Sequence, residues 1–164
     1  MIRTAVRFLA ARAGAAVALV IAVLLPGAAN AADFRSTREA STVLYDAPSA
    51  RAKPLFVYGR DVPVEPLVSV EGWTKVRDAS GTIGWMPSKS LADKRMLIVR
   101  APGAEVRAAP DDKAPVAFRA GPDVLLELAE PAASPAATAT PGWVKVRHRD
   151  GQTGYVRLAQ VFGL

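Results

Sequence analysis

The sequence predicts an all-β protein made of two small modules in tandem, and three observations predict it. First, Gly72-Trp73-Thr74-Lys75-Val76-Arg77, followed by Gly81 and Gly84-Trp85, returns 70 positions later as Gly142-Trp143-Val144-Lys145-Val146-Arg147, followed by Gly151 and Gly154-Tyr155. An internal repeat fixes the architecture before any local reading does. Second, each copy of that stretch is a short strand, a polar turn closed by Gly and a second short strand, which makes a β-hairpin. Third, the repeat extends upstream at a spacing of 62: Ala47-Pro48 matches Ala109-Pro110, Phe56 matches Phe118, and Gly59, Asp61, Val62 and Glu65 match Gly121, Asp123, Val124 and Glu127.

The change of spacing from 62 to 70 means that the second copy holds eight extra residues. They fall in 130–141, an Ala/Pro/Thr-rich stretch with a single charge. Such a composition buries too little apolar surface to order itself, so a loop insertion between two strands is expected.

Residues 1–31 have the pattern of a secretory signal peptide. Arg3, Arg7 and Arg12 make a basic start, Ala13 to Leu25 is an apolar run of 13 residues, and Ala29-Asn30-Ala31 supplies the small-x-small cleavage site. The run is shorter than the ~20 residues that span a bilayer. Cleavage is expected after Ala31, leaving a periplasmic or secreted chain with no stable membrane span. The modules are then expected at 32–92 and 93–164.

Within the first module, Ser41 to Tyr45 is a β-branched and aromatic run, and Leu55 to Tyr58 is a short apolar strand stopped by Gly59. Val62, Val64 and Leu67 lie on a third strand, which Pro63 and Pro66 place at an edge or bend. In Trp73 to Arg77 the side chains alternate faces, so Thr74 and Val76 share one and Trp73, Lys75 and Arg77 the other. The valine face is the expected core, here and at Val144 and Val146, with both tryptophans partly covered on the opposite face. Gly81 and Gly151 close the hairpin turns, where a positive φ suits Gly. Gly84 and Gly154 mark a bulge or a close backbone approach. The second module opens with Met96 to Val99.

Without the signal arginines, 18 basic residues stand against 15 acidic ones, a net charge of +3. So small an excess on an exported chain does not point to nucleic acid. There is no Cys, hence no thiol nucleophile, thiolate metal site or disulfide. A module of this size without disulfides is near the lower limit of independent stability, so packing of one module on the other is expected to matter. His148 is the only His and lies in a turn, unlike the buried, oriented imidazole of a catalytic triad. No metal-ligand spacing is present, and Asp111-Asp112 has the look of a solvated loop.

Each copy resembles the bacterial SH3-like (SH3b) domain, a small five-stranded barrel. The resemblance is carried by Val106-Arg107-Ala108-Ala109-Pro110, by the strands from Gly72 to Trp85 and from Gly142 to Tyr155, and by the closing Phe162-Gly163-Leu164. The same 12-residue step, Trp73 to Trp85 and Trp143 to Tyr155, appears in both copies. The first copy is also similar to the eukaryotic SH3 groove through Leu44-Tyr45-Asp46, Trp73 and Met86-Pro87-Ser88. Arg107 and Arg157 replace Tyr45 and Pro87 in the second copy, so a proline-rich ligand is least expected there. The resemblance implies two tandem SH3-like barrels, a non-enzymatic binding role, no cofactor and no metal. Peptidoglycan, or an envelope protein or peptide, is the implied partner. Candidate ligand-binding residues are Tyr45, Trp73, Trp85, Pro87, Trp143 and Tyr155, because aromatic platforms suit sugars and extended peptides.

Overall fold

The computed structural model describes residues 34–100, 102–129 and 141–164. The expected signal peptide, 1–31, and all but the last residue of the expected loop insertion lie outside the described residues. Two sheets of seven strands account for the rest. The first contains β1 (Arg35–Thr37), β2 (Thr42–Tyr45), β3 (Pro54–Tyr58), β4 (Pro63–Val70), β5 (Trp73–Arg77), β6 (Ile83–Pro87) and β7 (Leu91–Ala92). The second contains β8 (Met96–Val99), β9 (Ala104–Arg107), β10 (Val116–Ala120), β11 (Leu125–Leu128), β12 (Trp143–Arg147), β13 (Thr153–Arg157) and β14 (Val161–Phe162). The strand orders, β3-β2-β6-β5-β4-β1-β7 and β10-β9-β13-β12-β11-β8-β14, are the same path drawn twice.

The residues explain the path. Gly81 and Gly151 take φ of 89° and 94°, and each donates its amide back across the turn, to Asp78 O at 3.0 Å and His148 O at 2.9 Å. These turns set β5 on β6 and β12 on β13 in matching register, with Val76 opposite Gly84 and Val146 opposite Gly154. Gly84 and Gly154 are close approaches, not bulges. A Cβ on Gly84 would lie 2.8 Å from Tyr45 O, and one on Gly154 2.7 Å from Arg107 O. Only a bare Cα lets β6 and β13 cross β2 and β9 this tightly.

The valine face is the core in both copies. Leu44, Val64, Val76, Met86 and Leu91 cluster in the first. Leu97, Val99, Ala104, Val106, Ala120, Leu126, Val144, Val146, Val156 and Val161 cluster in the second. Of the two alternatives expected for the strand holding Pro63 and Pro66, an edge or a bend, the structure has the bend: β4 pairs with both β5 and β1. Pro66 sits at a register shift between Pro66 and Val68, where the strand bends, and Pro63 is its first residue, opposite Ser36. A strand ahead of the Ser41–Tyr45 run was not foreseen: β1 pairs with β4 and β7. Thr37, fully buried, donates its hydroxyl to Gly59 O at 2.6 Å and accepts from the Val62 amide at 2.9 Å. Val99, 62 positions on, fills the same place with an apolar side chain and keeps only the backbone bonds to Asp123 and Val124.

The modules touch. Phe34 meets Phe162 edge to face at 5.0 Å, and Lys94 pairs with Asp61 at 3.2 Å.

Candidate functional site: an aromatic groove present in one copy

The hairpin register decides which residues meet on the outer face. In the first copy Trp73 lies opposite Pro87, Lys75 opposite Trp85, and Trp85 beside Tyr45 of β2. Tyr45 reaches past that rung and sets its ring edge to face against Trp73, with centroids 5.6 Å apart and planes at 88°. This geometry suits the ring quadrupoles. Tyr45, Trp73 and Pro87 then line an open groove of about 380 Å³, completed by Ala50, Gly72, Ser88 and Lys89. The groove end is fixed by hydroxyls. Thr74, buried beneath it, bonds Ser88 Oγ at 2.7 Å and Ser69 Oγ at 3.2 Å. Ser88 begins a short 3-10 turn, Ser88–Ser90, that directs Lys89 outward.

The second copy keeps the scaffold and loses the groove. Arg157 takes the place of Pro87 opposite Trp143, and its guanidinium lies 4.5 Å from the Trp143 ring centroid. Asp112, at the position of Ala50, holds that guanidinium through Nε at 3.2 Å and through a second contact at Nη2. Arg107, at the position of Tyr45, donates to Ala114 O at 2.8 Å and Glu105 at 2.7 Å. Trp143 is consequently only 7% exposed, where partial covering was expected. Asp112 is not a free loop carboxylate but the anchor of this plug.

Of the six candidates, the structure therefore gathers Tyr45, Trp73 and Pro87 into one cavity. Trp85 sits one rung away under Lys75 at 5.8 Å, and Tyr155 repeats that arrangement under Lys145 at 6.0 Å. Both are half-buried and line no described cavity. Ser88 belongs to the Met86-Pro87-Ser88 segment that carried the groove resemblance, although it was not among the candidates. Ala50 and Lys89 were missed, and Ala50 carries no chemical signal.

The hairpin turns also differ. Tyr58 donates its hydroxyl to Asp78 at 2.7 Å, and burial, then that hydrogen bond and the Asp78 charge, push the phenol well above its ordinary range. Burial alone would raise the Asp78 carboxyl. The hydrogen bonds from Ser80 and Tyr58 side chains and from the Thr82 and Ser80 amides outweigh it and hold the group below 3.8. In the second copy His148 occupies the Asp78 position, packs on Phe118 at 5.9 Å and bonds Asp150 at 3.0 Å. Among the described residues no three His, Cys, Asp or Glu side chains are grouped to hold a metal.

The bacterial SH3 domain family model matches residues 38–93 and again 100–163. The chain belongs to this family. It carries two bacterial SH3 domains in tandem, one match on each sheet, with β1 and β8 lying just before the matched residues. No curated protein is similar enough to match. Among solved structures, the chain is similar to NlpC2 from Trichomonas vaginalis, with 14% identity and a TM-score of 0.34 over 79% of this chain and 46% of that one. It is also similar to an NlpC/P60 family protein from Bacillus cereus, with 15% identity and a TM-score of 0.35 over 79% of this chain and 55% of that one. The chain thus spans about half the length of these structures.

Proposed function

We propose that the protein is an exported, non-enzymatic binding module that contacts peptidoglycan through the Tyr45–Trp73–Pro87 groove of its first bacterial SH3 domain. The observation that carries this reading is the open aromatic groove in one copy set against the plugged groove in the other. Edge-to-face rings present two apolar walls at a right angle, a shape that holds a sugar face or an extended peptide. Lys89 at the rim adds a positive charge for a carboxylate of such a ligand. Export rests on the signal pattern of residues 1–31, and the modules are assigned to 32–92 and 93–164. The reading calls for no cofactor.

The test is co-sedimentation of the purified protein with peptidoglycan at moderate salt. Saturable binding is expected, and Trp73→Ala, confirmed as folded, should weaken it by ~2 kcal/mol or more, as for a central aromatic anchor. Binding that survives in that variant would end the groove assignment.

A second reading, one dedicated envelope protein as partner, is favoured by a separate observation. β3 ends its sheet, and Phe56 and Val57 on it are 54% and 65% exposed. A free apolar strand edge is a place where a partner strand can add. A protein that stays in the supernatant in the peptidoglycan assay would direct the search to such a partner.

A further inference from the structure

Residues of both modules line a second cavity, which shares no residue with the aromatic groove. It has a volume of about 440 Å³ and is lined from the first module by Arg60 and Asp61 and from the second by Lys94, Met96, Asp123, Val124, Leu125, Glu127, Arg147, His148 and Arg149. Met96, Val124 and Leu125 give it an apolar floor, and the charged side chains rim it. The size is within the range of small-ligand sites, and clefts between modules are common places for them.

The rim charges are not mutually satisfied. Lys94 is paired with Asp61 at 3.2 Å. Arg60, Arg147 and Arg149 make no ion pair among the described residues. The contrast with the first copy is informative. There Arg77, the counterpart of Arg147, is bound to its cross-strand neighbour Glu65 at 3.0 Å. Arg147 lies opposite Glu127 in the same register, yet the two side chains form no such pair. Leaving His148 aside, four cations face three carboxylates around the cavity, an excess of one positive charge. Asp61 and Asp123, equivalent residues of the repeat, are both in the left-handed region, at φ of 65° and 63°. Both turns are thus held in a costly conformation at the same cavity.

We infer that this inter-module cavity is a binding site for a small organic monoanion: a carboxylate held by Arg147, Arg149 and Arg60, with an apolar substituent on Met96, Val124 and Leu125. Guanidinium groups suit a carboxylate because their paired N–H donors match its two oxygens. The inference stands apart from the groove reading, since no residue is shared between the two cavities.

The test is a titration of the purified protein with N-acetyl-leucine, followed by amide chemical shifts, with N-acetyl-leucinamide as the uncharged control. The expected result is saturable shifts at Val124, Leu125, His148 and Arg149 with the acid and none with the amide. Arg147→Gln combined with Arg149→Gln should weaken binding at least about tenfold, the loss expected for charge-assisted hydrogen bonds. Trp73→Ala should leave it unchanged, so failure of the groove and failure of this site are read separately. Equal shifts with acid and amide, no saturation, or undiminished binding in the double variant would overturn the inference. Both substitutions are at exposed residues, and the spectrum of the free variant itself reports whether it is folded.

Discussion

The two bacterial SH3 domains share one topology and differ in what they place around it. The first has a short core of five buried residues, with Thr37 hydrogen bonded inside the fold. It leaves Tyr45, Trp73 and Pro87 half-buried along an open groove. The second buries a longer apolar cluster, replaces Thr37 by Val99, and closes its groove with Arg157 and Asp112. Three positions make the difference: Tyr45 against Arg107, Ala50 against Asp112, and Pro87 against Arg157. None of them lies in the core, so the barrel is indifferent to the exchange. One copy thus keeps an open aromatic groove on the same scaffold on which the other has it filled.

The comparison can be attacked first through the cores. Leu126→Ala, at a fully buried position of the second copy, should cost ~2–5 kcal/mol in denaturant unfolding. The groove of the first copy should still bind under native conditions. Loss of peptidoglycan binding in this folded variant would show that the copies do not act separately.

The glycines come next. Gly84→Ala and Gly154→Ala each force a Cβ against a backbone oxygen and should cost ~1–3 kcal/mol. Only Gly84→Ala should also alter ligand binding, because the clash falls on Tyr45. Calorimetry of both variants with a binding assay separates the two effects.

Arg157→Pro restores the residue of the first copy and frees Asp112. The stability change should be small, ~1 kcal/mol, since an exposed ion pair and a cation–π contact are lost. Trp143 should become more accessible, with its fluorescence shifted to longer wavelength. An unchanged spectrum would mean that Arg157 is not the plug.

The smallest effect concerns pH. The Asp78 carboxyl is depressed in the folded state, so the stability it contributes is present above its unfolded value and lost as pH falls through the folded value, below 3.8. Tyr58 is raised, so its contribution is present below pH 10.0 and is lost only as pH climbs through its higher folded value. Tyr58→Phe should therefore flatten the alkaline limb of a stability profile and soften the acid limb. The wild-type profile in that variant would exclude the pair as a pH-dependent contributor.

Much of this was legible in the sequence. The repeat carried the two-module all-β architecture and its hairpins, the period-2 alternation carried Val76 and Val146 into the core, and Gly81 and Gly151 carried the turns. β1 was not legible, because Arg35-Ser36-Thr37 has no apolar alternation and declares itself only through its pairing with β4 and β7. The loss of the second groove was half legible. Arg107 and Arg157 stood out as substitutions, but Asp112 is far away in sequence and meets Arg157 only in the folded barrel. The inter-module cavity depends on how two modules pack, and no local pattern encodes that.

The most direct test of the asymmetry is acrylamide quenching of two variants that each keep one groove tryptophan. Trp85→Phe with Trp143→Phe leaves Trp73, and Trp73→Phe with Trp85→Phe leaves Trp143. Trp73 should emit at longer wavelength and be quenched several times more strongly than Trp143, which lies beneath Arg157. Equal quenching of the two, or stronger quenching of Trp143, would contradict the claim that only the first copy keeps an open groove.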